Sequence, residues 1–557
     1  MPAADTAPRD AIERRPAWSR PAPGRAAGAR WGWALAVALV LLAALALRLW
    51  GVTQGLPYAY NADENAHFVN GAMSLFGHGW DPHYFVNPPA YTYLLHLVFA
   101  VWFGGRKGVA DTYATNPTEV FVVARVTAAV LGTAAVGLLY LAGARMFDRR
   151  VGLLAAGLLA VAFLPVFYSH LALNDVPTLA PAALSLWGTA GVLRVGRTRD
   201  YLIAGIGLGL ACATKYTGGI MLLPLLCAAG IRIADRETRG PAIRGVVFAG
   251  MSAIAGFLVA NPYALLDHRA FHEGLTHQAQ AADDALGKVG LPHEAGWRYY
   301  LWTFTWGLGW VPLVAAVAGA AMLALWDRRA LLVLGLAPVA YVIFMGHQER
   351  FFGRWLMPIF PIVCILGAYA MVRLVVLAAR RVPALAPVLA SLAVVLLCGQ
   401  GLLYSIHAGR VLSRPDTRNT TRAWLVANVP ARTKIVVEPV VPDAWATDIG
   451  RPYPGTSNGA RWVKYPTSRS NIANDGSYIP GLGRVVNIED YERTLFPGLV
   501  QRYAREGYCY VVSGSAQRAA RRPTRRPCRV RSRTTASSSA APIWSTSRAR
   551  IAPVRSR

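Results

Sequence analysis

Charge is scarce in this chain. Only 15% of its 557 residues are Asp, Glu, Lys or Arg, while 54% are hydrophobic; an ordinary soluble domain carries about 25% charged residues. The apolar residues gather into runs long enough to cross a bilayer, which excludes a soluble globular protein and indicates a polytopic membrane protein. Cysteine is scarce as well. Of the six, Cys212, Cys227, Cys364 and Cys398 lie inside apolar runs, and Cys509 and Cys528 show no metal-ligand spacing, so neither a disulfide framework nor a cysteine-held metal is implied. Acidic residues number 29 against 57 Lys and Arg, a net charge of +28. This excess is no nucleic-acid signal: 12 of the Arg fall in the last 40 residues, which hold no Asp or Glu, and the rest is mostly loop charge.

What is present is a succession of apolar runs punctuated by basic turns. Residues 1–30, with Arg14, Arg15, Arg20, Arg25 and Arg30 and no apolar period, read as a disordered tail placed in the cytoplasm by its Arg content. Trp31 to about Leu49 forms the first span, too long and too poorly terminated for a cleaved signal peptide. Later runs end at Arg145–Arg150, Arg194–Arg199, Arg232–Arg244, Asp327–Arg329 and Arg380–Arg381, each a cytoplasmic marker. The segment Pro88–Phe103 has only about 16 apolar residues, short of the roughly 20 needed to span, and is expected to lie at the interface. The count is eleven spans within 31–405. The first external loop, 51–120, is then on the face opposite the Arg145–Arg150 turn.

From 406 to 513 the composition is that of a soluble domain, with strand-like runs at Lys434–Val441 and Tyr508–Val512 among Gly, Pro and Asn turns. The predicted fold class is therefore a polytopic α-helical membrane protein carrying a small extracytoplasmic α/β C-terminal domain. Residues 514–557 turn to Arg, Ser, Ala, Pro and Thr, a mixture that cannot build a core. It reads equally as a basic tail or as the product of a slipped reading frame.

Chemistry concentrates at the outer ends of the spans. Asp63 and Glu64 stand in Y-N-A-D-E-N-A-H-F-V, ahead of N-P-P-A-Y-T-Y-L-L. Asp175 stands in S-H-L-A-L-N-D-V-P-T. His347, Glu349, Arg350 and Arg354 stand in G-H-Q-E-R-F-F-G-R-W, where two external arginines break the charge rule. Carboxylates and arginines at the membrane edge are costly to desolvate and tend to face a polar cavity. Each also has a plainer reading. Asp175 suits a helix cap before Pro177, Glu64 a solvated loop charge, the two Arg an interfacial anchor, and Lys215 a side chain that snorkels to the interface.

The acid pair in the first external loop, the Pro-Pro helix, the N-D-x-P loop and the H-x-E-R-x-x-x-R-W-x-x-P loop together resemble the lipid-carrier-dependent glycosyltransferases of the GT-C type. The branch resembled holds the protein O-mannosyltransferases and the lipid A aminoarabinose transferase. The likeness covers about residues 30–380. It implies a polyprenyl-phosphate sugar donor and an acceptor that is protein, lipid or polysaccharide; the basic turns and the count of spans make the chain a multi-pass protein of the plasma membrane with its N-terminus cytoplasmic and its C-terminal domain outside. It implies Asp63 as the base that activates the acceptor and Asp175 as the second acid, with Glu64 grouped beside them, and places the donor phosphate at Arg350 and Arg354. Several members have Lys before the Pro-Pro where this chain has Asn87, so phosphate neutralisation falls on other cations, Lys215 among them. His347, Glu349, Asn87 and Tyr91 are the expected substrate contacts.

The chemistry also follows from the residue types. A phosphate leaving group needs no proton, so a single carboxylate beside the acceptor hydroxyl suffices, and direct displacement inverts the anomeric centre. No cofactor is called for; a divalent metal stays open, with His67, His78 and His83 as ligands beside Asp63. A transporter or lipid flippase is the rival reading, but no internal repeat is visible and the charges lie at span ends instead of mid-span. A non-catalytic envelope scaffold is a third.

Overall fold

The computed structural model describes residues 26–283, 296–437, 442–448, 460–464, 467–468, 486–487, 498–513 and 550–553. The first helix, α1 (Ala26–Leu49), leads into a loop that carries a short π-helical turn, Asp63–Val69, and three helices: α2 (Asn70–His78), α3 (Ala90–Trp102) and α4 (Arg106–Thr115). The bundle continues with α5 (Pro117–Met146), α6 (Arg149–Val161), α7 (Phe163–Tyr168), α8 (Leu179–Arg194), α9 (Thr198–Thr214), α10 (Leu222–Ala234) and α11 (Arg239–Ala260). After α12 (Tyr263–Leu266) and α13 (His268–Asp283) come α14 (Gly296–Phe304), α15 (Trp310–Trp326), α16 (Arg328–Gly346), α17 (Phe360–Arg381) and α18 (Ala386–Leu412).

Among the described residues, eight helical segments are long and apolar enough to cross a membrane: Trp31–Leu49, Pro117–Met146, Tyr216–Ala234, Arg239–Ala260, Gly296–Trp326, Arg328–Gly346, Gly353–Arg381 and Pro383–Asn428. The other three runs expected to span fall on shorter helices, namely the α6–α7 pair, α8 and α9. These sit inside the bundle and are built largely of Ala, Gly and Leu, small residues that let helix backbones approach closely; a Cβ at Gly205 would strike Ser252 and Ala249 of α11. The segment expected to lie flat is α3, 13 residues long and below spanning length.

The break between α6 and α7 has a local cause. Pro165 lacks the N–H that would bond to the carbonyl of Val161, and its ring would clash with that carbonyl, so the helix cannot run through. The freed carbonyls are met from elsewhere. Arg48 of α1 donates to Leu159 O and Ala160 O at 3.2 and 3.0 Å, and Ser405 of α18 donates to Val161 O at 2.9 Å. The break turns the chain toward the Ser169–Thr178 loop.

After α18, the chain forms α19 (Thr417–Asn428) and a small sheet. In it β1 (Lys434–Val437) is flanked in parallel by β2 (Val463–Lys464) and by β5 (Tyr510–Ser513). A separate parallel pair joins β3 (Thr467–Ser468) to β4 (Val486–Asn487). Trp445 and Trp462, both fully buried, pack with Leu425 and Ile435 against Tyr58 from the first loop. Four residues of the Arg-rich tail, β6 (Arg550–Pro553), pair antiparallel with β5; the remainder of 514–557 lies outside the described residues.

Candidate active site

The first loop is fixed by a buried ion pair. Glu64 is fully buried, and its two oxygens take Nε and Nη2 of Arg125 at 2.6 and 2.9 Å, a fork-on-fork contact. The same carboxylate accepts the backbone N–H of Ala172 at 2.9 Å, and the remaining Arg125 nitrogen donates to Val52 O and Gln54 O. Glu64 thus ties the π-helical turn both to α5 and to the Ser169–Thr178 loop. This corrects the expectation that Glu64 is catalytic, because the carboxylate is fully buried and both its oxygens are bonded within the fold. It also corrects the solvated-charge reading. Single π turns occur frequently at functional sites, and this one begins at Asp63.

Asp63 is placed differently from its neighbour. Its side chain is 40% exposed and meets Nη2 of Arg354 at 2.9 Å. Nε of Arg354 lies 3.5 Å from Asp175, and Asp175, 3% exposed, is paired with Lys215. Lys215, Asp175, Arg354 and Asp63 therefore form a chain of alternating charge with Asp63 at its open end. Local sequence explains the positions. Lys215 occupies an extended residue that ends α9, and Asn174 fastens the N-D motif to the end of that helix through Thr214 O at 2.8 Å. Asp175 makes no helix cap, since the residue that precedes α8 is Thr178 and the helix start has no side-chain cap. Arg354, 16% exposed in its side chain, is turned toward the two acids.

Both expected phosphate arginines flank one ring, with the Arg350 and Arg354 guanidinium carbons 5.1 and 4.5 Å from the Phe352 centroid. The expected substrate contacts divide. Tyr91 is corrected to a structural role, being 1% exposed with its hydroxyl donating to Ala124 O at 3.0 Å. His347 follows the end of α16, with Nδ1 2.7 Å from Ile343 O, and Glu349 is exposed; the ion chain includes neither. Asn87 donates to the Tyr84 hydroxyl at 3.1 Å.

Tyr84 is a site residue that the sequence reading passed over. Its ring stacks on His67 with centroids 4.6 Å apart. Burial pushes its phenol up to about 12, against the hydrogen bond from Asn87, with the Asp63 charge adding to the rise. Tyr168, the last residue of α7, was also missed; its phenol lies close to Arg354. A lone Tyr at the end of an apolar run carries no signal that separates it from an interfacial anchor.

Among the described residues, one trio could hold a metal ion: Asp81, His83 and Asp267, whose donor atoms lie within 4.8 Å of one another. Two carboxylates and an imidazole suit a divalent cation. The trio shares only His83 with the expected set; the His67 ring stacks on Tyr84.

The far end of the bundle is also charged. Arg145 pairs with Asp200 at 2.6 Å, and Arg194 pairs with Asp327 at 2.9 Å. Arg125 and Arg145 lie on the same helix, 20 residues apart, or about 30 Å at 1.5 Å per residue. The ion chain and these basic turns therefore occupy opposite ends.

Residues 118–263 match the family model for dolichyl-phosphate-mannose-protein mannosyltransferase. The structure is similar to the archaeal oligosaccharyltransferase AglB from Archaeoglobus fulgidus in complex with an inhibitory peptide and a dolichol-phosphate, with a TM-score of 0.54 and 12% identity over 87% of this chain and 70% of that one. It is also similar to ArnT from Cupriavidus metallidurans in the apo state, with a TM-score of 0.50 and 15% identity over 88% of this chain and 94% of that one. The chain has the GT-C glycosyltransferase fold. No curated protein sequence matches it. At these identities the GT-C likeness establishes fold, and the chemistry has to be argued from the ion chain.

Proposed function

We propose that this protein is a membrane glycosyltransferase that moves a sugar from a polyprenyl-phosphate-linked donor to an extracytoplasmic acceptor, with inversion and with Asp63 as the general base. The observation that carries this reading is the open end of the ion chain: of its two acids, Asp175 is sealed between two cations and Asp63 keeps an exposed face. The acceptor hydroxyl gives its proton to Asp63 while its oxygen bonds to the anomeric carbon. The bond from that carbon to the phosphate oxygen breaks, and its electron pair leaves with the carrier phosphate. Arg354, with Arg350 and Lys215, stabilises that growing charge in charge-assisted hydrogen bonds. Asp175 orients Arg354 and Lys215 toward it. A cation at Asp81, His83 and Asp267 would supply further charge neutralisation near the same loop.

The match to a mannosyltransferase family that acts on proteins favours a protein acceptor. Asp63, Asp175, Arg350 and Arg354 lie at the span ends and not mid-span, which disfavours a transporter. The separation of the ion chain from the basic turns supports an outer-face site and a cytoplasmic N-terminus. The reading is tested by reconstituting the protein with radiolabelled polyprenyl-phosphate sugars and candidate acceptors. Labelled product with inverted anomeric configuration is expected. Retained configuration, or no transfer from any such donor, contradicts the reading.

A further inference from the structure

The segment that leads to Asp63 is fastened by α19, the helix that follows α18. Gly51, at φ +92°, presses against the end of α18, where a Cβ would stand 2.8 Å from Leu412 Cβ. From Gly55 to Tyr60 the fastenings run to α19. Asn419 donates through Nδ2 to Gly55 O and Leu56 O at 3.2 and 3.0 Å, and its Oδ1 accepts the Tyr60 hydroxyl at 2.5 Å. Arg418, itself gripped by Asp416 at 2.6 and 2.9 Å, lies over the Tyr60 ring with its carbon 3.4 Å from the centroid. Arg422 lies over the Tyr58 ring at 5.4 Å. Immediately beyond Tyr60, the side chain of Asn61 accepts the Glu64 N–H at 3.1 Å and starts the π-helical turn.

The chemistry of Asn419 is specific. One amide accepts a phenol proton and donates to two successive carbonyls, and among the common side chains only Asn and Gln combine an acceptor oxygen with a nitrogen that carries two donor hydrogens. Loss of that amide frees the residues that set where Asp63 stands. Reacting groups must be held within a fraction of an ångström for catalysis, and displacement by about 1 Å can lower rate by roughly a hundredfold.

We propose that Asn419 is a positioning residue for Asp63, so that the C-terminal domain forms part of the catalytic apparatus instead of a separate appendage. The proposal rests on the reading of Asp63 as the base. Its test therefore pairs turnover with a readout that needs no activity. Full-length wild-type protein, Asn419→Asp and the exposed control Asn428→Ala are compared in nanodiscs by amide hydrogen exchange and by donor-dependent kinetics. For Asn419→Asp, protection of amides 61–69 falls by about tenfold or more while that of Lys434–Val437 holds. Its kcat falls roughly ten- to a hundredfold with donor KM within about twofold, and Asn428→Ala behaves as wild type.

Wild-type protection at 61–69 in Asn419→Asp would overturn the anchoring itself. Lost protection with wild-type turnover would instead overturn the role of Asp63, and with it the catalytic meaning given to Asn419. Where Asn419→Asp also loses protection at Lys434–Val437, Tyr60→Phe carries the same test, since it removes one hydroxyl and keeps the ring under Arg418.

Discussion

Arg354 holds Asp63 with one end of its guanidinium, at 2.9 Å, and turns the other end toward Asp175 at 3.5 Å. A single planar side chain thus joins the loop after the first span to the loop after α7. The arrangement requires the fork of an arginine: an ammonium is a point charge and cannot present two edges at once.

Arg354→Lys is expected to lose at least one charge-assisted hydrogen bond together with the stack on Phe352. The loss is about 1.5–3 kcal/mol, or roughly ten- to a hundredfold in donor affinity or rate. Steady-state kcat and donor KM measure it; unchanged values would return Arg354 to the role of an interfacial anchor and move the donor site toward Lys215.

Glu64→Ala is expected to act on stability before chemistry, because it strands the buried Arg125 charge. Removing one partner of such a pair costs about 3–5 kcal/mol. Thermal unfolding in detergent should show a clear drop in midpoint for Glu64→Ala and none for Asp63→Asn. Glu64→Leu combined with Arg125→Met, which removes both charges, should recover part of the loss.

Tyr84→Phe is expected to lower kcat/KM only a few-fold, since it deletes one hydroxyl whose hydrogen bond to Asn87 is worth about 0.5–1.5 kcal/mol. A hundredfold loss would mean that the phenol itself takes part in proton transfer.

Cysteines introduced at positions 63 and 148 are expected to label from opposite faces of intact membranes. Labelling from the same face would mean that α3 crosses the bilayer, and the outer-face site would fall with it.

Eight of the eleven expected runs fall on helices that qualify as spans, because a bilayer imposes a length and a polarity that few soluble helices meet. Where the bundle shields a helix from lipid that length is relaxed, so α8 and α9 read as spans although each is shorter than the eight that qualify. The neighbours Asp63 and Glu64 were not separable. Which carboxylate meets Arg125, 61 residues away, depends on how a π turn is seated against α5, and no local pattern encodes that. Tyr91 misled for a related reason: an aromatic that opens a short apolar helix suits the interface, yet here its hydroxyl is spent on Ala124 O. Arg354 and Asp175 could be singled out because each broke a rule of its surroundings, a cation on the expected outer face and an acid beside an apolar run. Asn419 broke none, and only the fold brings it to Tyr60.

The most direct test of the account is Asp63→Asn, which preserves shape but cannot take the acceptor's proton. Transfer from a labelled polyprenyl-phosphate sugar should fall by roughly 10²–10⁴-fold, the range for loss of a general base, while the inserted protein still binds donor. Turnover within a few-fold of wild type would contradict the account and remove Asp63 from the mechanism.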